Sequence, residues 1–226
     1  MSRVHDMGGR FGDGAVVPEP ESDPVFHEDW HARALALVLS TGAWGQWNID
    51  ISRHARECLA PQDYAAMSYY EKWLAGAAAL CVDNGIVTRD ELASVQGDGT
   101  SDLAPKALKP ENVASMLAAG GPADRPSDVA VKFEVGQAVQ TRKIAANQMV
   151  DGGHTRLPTY AAGAKGRIVM IHGMHVLPDS SAHRLGEGSE PLYAVAIPAS
   201  ELWAQPEHPK DEVILDLWQS YLDAVT

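Results

Sequence analysis

Cysteine is scarce in this chain of 226 residues: there are two, Cys58 and Cys81. They lie far apart, without C-x-x-C spacing. Alone they can build neither a thiolate zinc site nor a disulfide framework, and both are expected as small buried apolar side chains. Positive charge is also short. Lysine and arginine number 18 against 30 acidic residues, for a net charge of −12. Such a surface repels a phosphate backbone, so nucleic acid is not an expected partner. No stretch approaches the roughly 18 unbroken apolar residues of a membrane span. No apolar run of the signal-peptide kind follows Met1, which points to a cytoplasmic protein. No Ser-His-Asp order, phosphate-binding glycine loop or carboxylate dyad stands out, nor any internal repeat. Residues of the chain alone would not make it an enzyme.

What is present changes character along the chain. Residues 1–26 are rich in glycine and proline and aperiodic, as in an extended arm. Residues 27–40 place Trp30, Ala34, Leu37 and Val38 at steps of three and four, a helical face. Asn48 is a candidate cap for a second helix over 48–58, which Pro61 ends. Residues 62–84 read as one helix, or two joined near Met67, with Tyr69, Trp73, Ala77, Leu80 and Cys81 on one face. Thr88-Arg89-Asp90-Glu91 is a capping box opening a last short helix. Residues 96–131 are linker-like around one helix at 109–117. From Lys132 the pattern is strands: around Phe133, Val135, Ala138 and Val139, then 166–171, 192–197 and 212–218, with a helical turn at 199–203. The reading is an α+β chain in three parts. An arm and helical domain span 1–95, a linker 96–131, and an SH3-like small β-barrel 132–226.

Several motifs carry candidate chemistry. Gly152-Gly153-His154-Thr155-Arg156-Leu157-Pro158-Thr159-Tyr160 sets one arginine between a glycine pair and a proline. The glycines open backbone angles closed to other residues and Pro158 pins the chain. A fixed guanidinium there would offer a planar fork of donors to paired oxygens. His27-Glu28-Asp29-Trp30-His31 matches the zinc-helix pattern H-E-x-x-H. It follows an arm rather than a sheet and lacks a third ligand, so two surface histidines with Trp30 turned inward are expected instead. His172 and His175, in a turn near a strand end, read as structural. Arg53 and Glu57 stand one helical turn apart, as an exposed ion pair would. Tyr69 and Trp73 read first as core.

These segments, taken in order, resemble the β subunit of nitrile hydratase. The pieces are His5-Asp6-Met7-Gly8-Gly9, Phe26-His27-Glu28-Asp29-Trp30, Arg53-His54-Ala55-Arg56-Glu57, Tyr69-Tyr70-Glu71-Lys72-Trp73 and Gly153 to Tyr160. Pro178-Asp179 through His183, Glu190 to Tyr193, Leu202-Trp203 and Asp216 to Leu222 complete the series. The chain departs from the family's pattern at Ala161-Ala162-Gly163, where an Arg-Gly is usual, and at Ser52, where a bulky residue is common.

The resemblance implies an obligate αβ heterodimer, often doubled to α2β2, that hydrates small nitriles to amides. The implied metal, Co(III) or Fe(III), sits on the α subunit among cysteines oxidised to sulfinate and sulfenate, and this chain binds no metal itself. Trp73 is the variant associated with cobalt enzymes. Arg53 and Arg156 would hydrogen-bond the oxidised sulfurs. Glu57 and His154 would support them, and Ile49, Tyr69 and Trp73 would line the nitrile pocket. Thiocyanate hydrolase is the neighbouring reading within the superfamily. A fused chain argues against it, since there the matching regions lie on two polypeptides. A metal-delivering activator would match only the helical half. An interface on the order of 2,000 Å² or more is expected with the α subunit.

Overall fold

A computed structural model describes residues 4–6, 17–97, 99 and 101–225. It is mixed α+β and divides into two compact units, one of Gly9–Gly121 and one of Pro122–Thr226 with Met1–Gly8. Much of the expected arm lies outside the described residues.

The first unit is helical: α1 (Asp29–Gly42), α2 (Ile49–Glu57), α3 (Pro61–Ala66), α4 (Tyr69–Asp83), α5 (Arg89–Ser94) and α6 (Pro110–Ala119). Local chemistry sets the boundaries. Asn48 caps α2 by accepting the Ile51 N–H at 2.8 Å, and Pro61 and Pro110 occupy first helical turns, where a missing N–H costs nothing. Met67 is extended, with ψ 141°, which separates α3 from α4. Ser68 and Thr88 open α4 and α5 with reciprocal capping boxes. Helix α4 packs against both α1 and α2. The unit keeps little core of its own: α1 fully buries only Ala34, and α4 only Gly76 and Leu80. Leu37, Ile49, Tyr69 and Leu92 are exposed.

The second unit is a five-stranded antiparallel sheet of order β4-β3-β2-β1-β5, built from β1 (Ala138–Thr141), β2 (Lys165–His175), β3 (Glu190–Pro198), β4 (Glu212–Trp218) and β5 (Leu222–Ala224). Short helices α7 (Pro178–Ser181) and α8 (Ala199–Leu202) flank β3. The near-continuous apolar run of β3 has a simple cause: the strand is buried on both faces. Val139, Ile168, Tyr193, Val195, Ile197, Leu217 and Tyr221 form the centre of the core.

Two expectations change here. The hydrogen-bonded sheet does not close into a barrel, since β4 and β5 are its two edges. Those edges are joined by a single 3-10 turn, Gln219–Tyr221. A link that short reaches only about 3.5 Å per residue, so the sheet must curl strongly. The strand expected from Phe133 starts only at Ala138, because Gly136 turns the chain at φ 91° and its N–H donates to the Ile168 carbonyl at 2.8 Å. No helix among the described residues is long and apolar enough to cross a membrane.

Candidate functional site

The candidate residues fall in both units. Ile49, Arg53, Glu57, Tyr69 and Trp73 lie in the helical unit, and His154 and Arg156 in the sheet unit.

In α2 the first-turn carboxylate of Asp50 is buried, 5% exposed. A buried carboxylate needs donors, and Arg53 Nη1 supplies one at 3.0 Å. The family resemblance, not periodicity, points to Glu57 as the support of Arg53. The carboxylate that holds Arg53 is Asp50, while Glu57 Oε2 lies 3.4 Å from His54 Nδ1. Cys58, expected as a buried apolar side chain, is exposed; its sulfur stands 3.5 Å from His54 Nε2. Hydrogen bonds to Cys58 and then Glu57 raise the imidazole from 6.5 to about 9, against its desolvation. His54 is therefore a cation at neutral pH.

Helix α4 supplies the aromatic side. The Tyr69 and Trp73 rings are 5.3 Å apart. Tyr69 is 62% exposed and Ile49 63%, so Tyr69 is a surface ring rather than core. Behind Trp73 the Arg56 guanidinium stacks at 4.7 Å from the ring. Burial, then the Arg53 charge, lowers the Arg56 pKa. Its stem crosses α4 at Gly76, where a Cβ would meet Arg56 Cγ at 2.8 Å. Asp50 and Arg56 were not legible as site residues, because periodicity marks them only as neighbours of Arg53.

The turn of Arg156 is held from several sides. Gly152 is left-handed, φ 71°. A Cβ at Gly153 would strike His183 Nε2 at 2.7 Å and Asn147 Nδ2 at 2.9 Å, so any side chain there must displace these two. His154 is 1% exposed; its N–H donates to His183 Nε2 at 2.9 Å, and its carbonyl accepts from Asn147 Nδ2 at 2.6 Å. The Arg156 N–H donates to the Tyr221 hydroxyl oxygen at 3.2 Å, and that hydroxyl donates to buried Asp179. Past Pro158, the Asp6 carboxylate accepts from the Thr159 N–H at 3.0 Å and its hydroxyl at 2.7 Å. The Tyr160 ring stacks on Trp203 at 6.1 Å. The backbone is pinned, yet the Arg156 side chain is exposed and makes no hydrogen bond or ion pair among the described residues.

The zinc-like pentad does not form a ligand pair on one helix. α1 begins at Asp29, so His27 precedes it and pairs with Glu19 at 3.3 Å. His31 instead packs 4.4 Å from Trp30 and 4.8 Å from Tyr70. His172 and His175 lie within β2, which runs further than expected. His172 pairs with Asp216 at 2.9 Å.

Comparison with known proteins gives the family of the chain. Residues 1–119 match the family model for the nitrile hydratase beta subunit, N-terminal, and residues 122–224 match its C-terminal counterpart. The chain is 34% identical to the low-molecular weight cobalt-containing nitrile hydratase subunit beta of Rhodococcus rhodochrous, over 98% of this chain and 99% of that one. It is 34% identical to a nitrile hydratase subunit beta of Pseudomonas putida, over 99% of both. Against the cobalt-containing nitrile hydratase subunit beta of Pseudonocardia thermophila the identity is 30%, over 100% of this chain and 97% of that one. Among solved structures, a thiocyanate hydrolase apo-enzyme from Thiobacillus thioparus aligns with 53% of this chain and 98% of its own, at a TM-score of 0.36 and 22% identity. The chain belongs to the nitrile hydratase beta subunit family.

Proposed function

We propose, from that membership, that the chain is the β half of a cytoplasmic heteromer hydrating small nitriles to amides, inactive without its α partner. The family match across both units carries the reading. We read the curled sheet as SH3-like, and the exposed Leu37, Ile49 and Tyr69 as surface that the partner covers.

In this reading Arg53 and Arg156 bind the oxygens of oxidised cysteines on the partner. The donor set suits that task. Sulfinate and sulfenate oxygens are anionic acceptors, and two guanidinium forks neutralise and orient them. Arg53 meets them already oriented by Asp50. Arg156 meets them from a pinned backbone, with its fork unspent. A trivalent cobalt or iron held by the partner supplies Lewis acidity toward the nitrile; the names of two relatives favour cobalt. Ile49, Tyr69 and Trp73 supply an apolar wall for the R group, with Arg56 stacked behind Trp73. Glu57 and His54 form a charged pair beside Arg53, and His154 supports the turn through its backbone.

The test is co-expression with a candidate α chain and assay of nitrile-to-amide conversion. Hydration by the complex and none by either chain alone is the expected result. A complex that forms, carries its metal and leaves nitriles untouched would overturn the reading.

A further inference from the structure

One short segment grips the arginine turn at successive backbone groups. His183, just after α7, accepts the His154 N–H at 2.9 Å. The Asp179 carbonyl accepts from Asn147 Nδ2 at 2.8 Å, and the same amide nitrogen donates to the His154 carbonyl at 2.6 Å. The Asp179 carboxylate accepts the Tyr221 O–H, and the Tyr221 oxygen accepts the Arg156 N–H at 3.2 Å. Asp179 thus reaches the turn twice, by backbone through Asn147 and by side chain through Tyr221.

The burial of these groups is costly for a surface turn. Asp179 is 3% exposed and Tyr221 0%. Burial pushes the Asp179 carboxyl up, opposed by the Tyr221 hydrogen bond and the Arg142 charge. Burial, then the Asp179 charge, pushes the Tyr221 phenol far above its usual value. The Arg142 guanidinium lies 5.0 Å from the Tyr221 ring centroid. An apolar pair would pack the same space without this desolvation. What the polar pair adds is direction, since a hydrogen-bonded hydroxyl fixes one backbone N–H in one place.

We propose that Asp179 and Tyr221 are positioning residues for Arg156: the buried carboxylate orients the phenol, and the phenol sets where the arginine leaves the backbone. The proposal rests on the role given to Arg156 above. Neither residue touches substrate; both act through the turn. A displacement of about 1 Å at such a group costs on the order of 100-fold in rate, so a full loss of the clamp is expected to cost about 10- to 100-fold in kcat.

The test uses the co-expressed complex with Tyr221→Phe, Asp179→Asn, Arg156→Lys and the double variant Tyr221→Phe/Arg156→Lys. Tyr221→Phe keeps the ring and removes the hydroxyl that accepts the Arg156 N–H and donates to Asp179; Asp179→Asn keeps an acceptor and serves if the first variant does not assemble. Two readouts are taken. The first is amide hydrogen exchange at Arg156, expected to speed at least 10-fold in Tyr221→Phe and less in Asp179→Asn. The second is kcat, with Tyr221→Phe expected to lower it in the wild-type background and to add nothing in the Arg156→Lys background. A merely structural Tyr221 would lower kcat equally in both backgrounds, and that result overturns the proposal, as does unchanged exchange at Arg156. Full activity of Arg156→Lys alone would instead overturn the role of Arg156, and the proposal falls with it.

Discussion

Arg53 Nη1 lies 3.0 Å from the carboxylate of Asp50, one turn earlier on the same helix, while Glu57, one turn later, faces His54. Arg53 is therefore oriented from the N-terminal side of its helix. Asp50→Asn is expected to lower kcat about 10-fold in the complex, with metal content unchanged. Stability should fall by about 1–3 kcal/mol, the usual result of weakening a buried charged hydrogen bond. Glu57→Gln should cost Arg53 less. Steady-state kinetics beside thermal melts checks the pair, and equal kcat for Asp50→Asn and wild type would contradict the assignment.

Gly153 sits where a methyl group has no room. Its Cβ would come within 2.7 Å of His183 and 2.9 Å of Asn147 and Val150. Gly153→Ala must push apart the side chains that clamp His154, at a cost of about 1–3 kcal/mol. The expected outcome is a lower Tm and weakened nitrile hydration. Gly136→Ala, at a positive φ but in open space, should lower Tm and leave kcat unaffected.

Stability should depend on pH through His54. Its pKa is raised from 6.5 to about 9, by Cys58 first and Glu57 second. A raised value means that the folded protein holds the proton more tightly than the unfolded chain. The stabilisation is fully present below about pH 6.5 and is lost as pH rises through about 9. Discounted for solvent screening of the half-buried ring, it amounts to about 1–2 kcal/mol. His54→Gln should flatten the Tm decline between pH 7 and 10. The same slope in wild type and variant would show that His54 is not the titrating group.

Arg56 stacks on Trp73 at 4.7 Å. Arg56→Met keeps most of the stem over Gly76 and removes the charge. It should loosen the Trp73 ring and raise KM for aromatic nitriles several-fold more than for acetonitrile. Equal changes for both substrates would mean that the stack does not shape the pocket.

The helical half was legible because its signals are local. The Asn48 cap and the Thr88 capping box each act within a few residues. Strand ends were less so: β2 continues through His172 to His175 because it stays paired with β3 as far as Glu190, past two irregularities in the ladder, and ladders are decided by the partner strand. The site split in the same way. Arg53 and Arg156 stood out through their flanking residues and the family likeness. Asn147, Asp179, His183 and Tyr221, which hold the Arg156 turn, are separated from it in sequence, and no periodicity links Tyr221 to Arg156. The choice between Asp50 and Glu57 for Arg53 needed burial, since both are one turn away and only Asp50 is fully covered.

The proposed function has this chain offer two guanidinium forks, Arg53 held by Asp50 and Arg156 on a pinned backbone, to a metal centre on its partner. The most direct measurement is nitrile hydration by the co-expressed complex with Arg53→Lys and Arg156→Lys, alongside the metal content and visible absorption of each. Lysine keeps the charge and loses the fork. Both variants are expected to assemble and hold metal, lose at least 10-fold in kcat, and shift the sulfur-to-metal absorption. Wild-type kcat and an unshifted spectrum in both variants would contradict it.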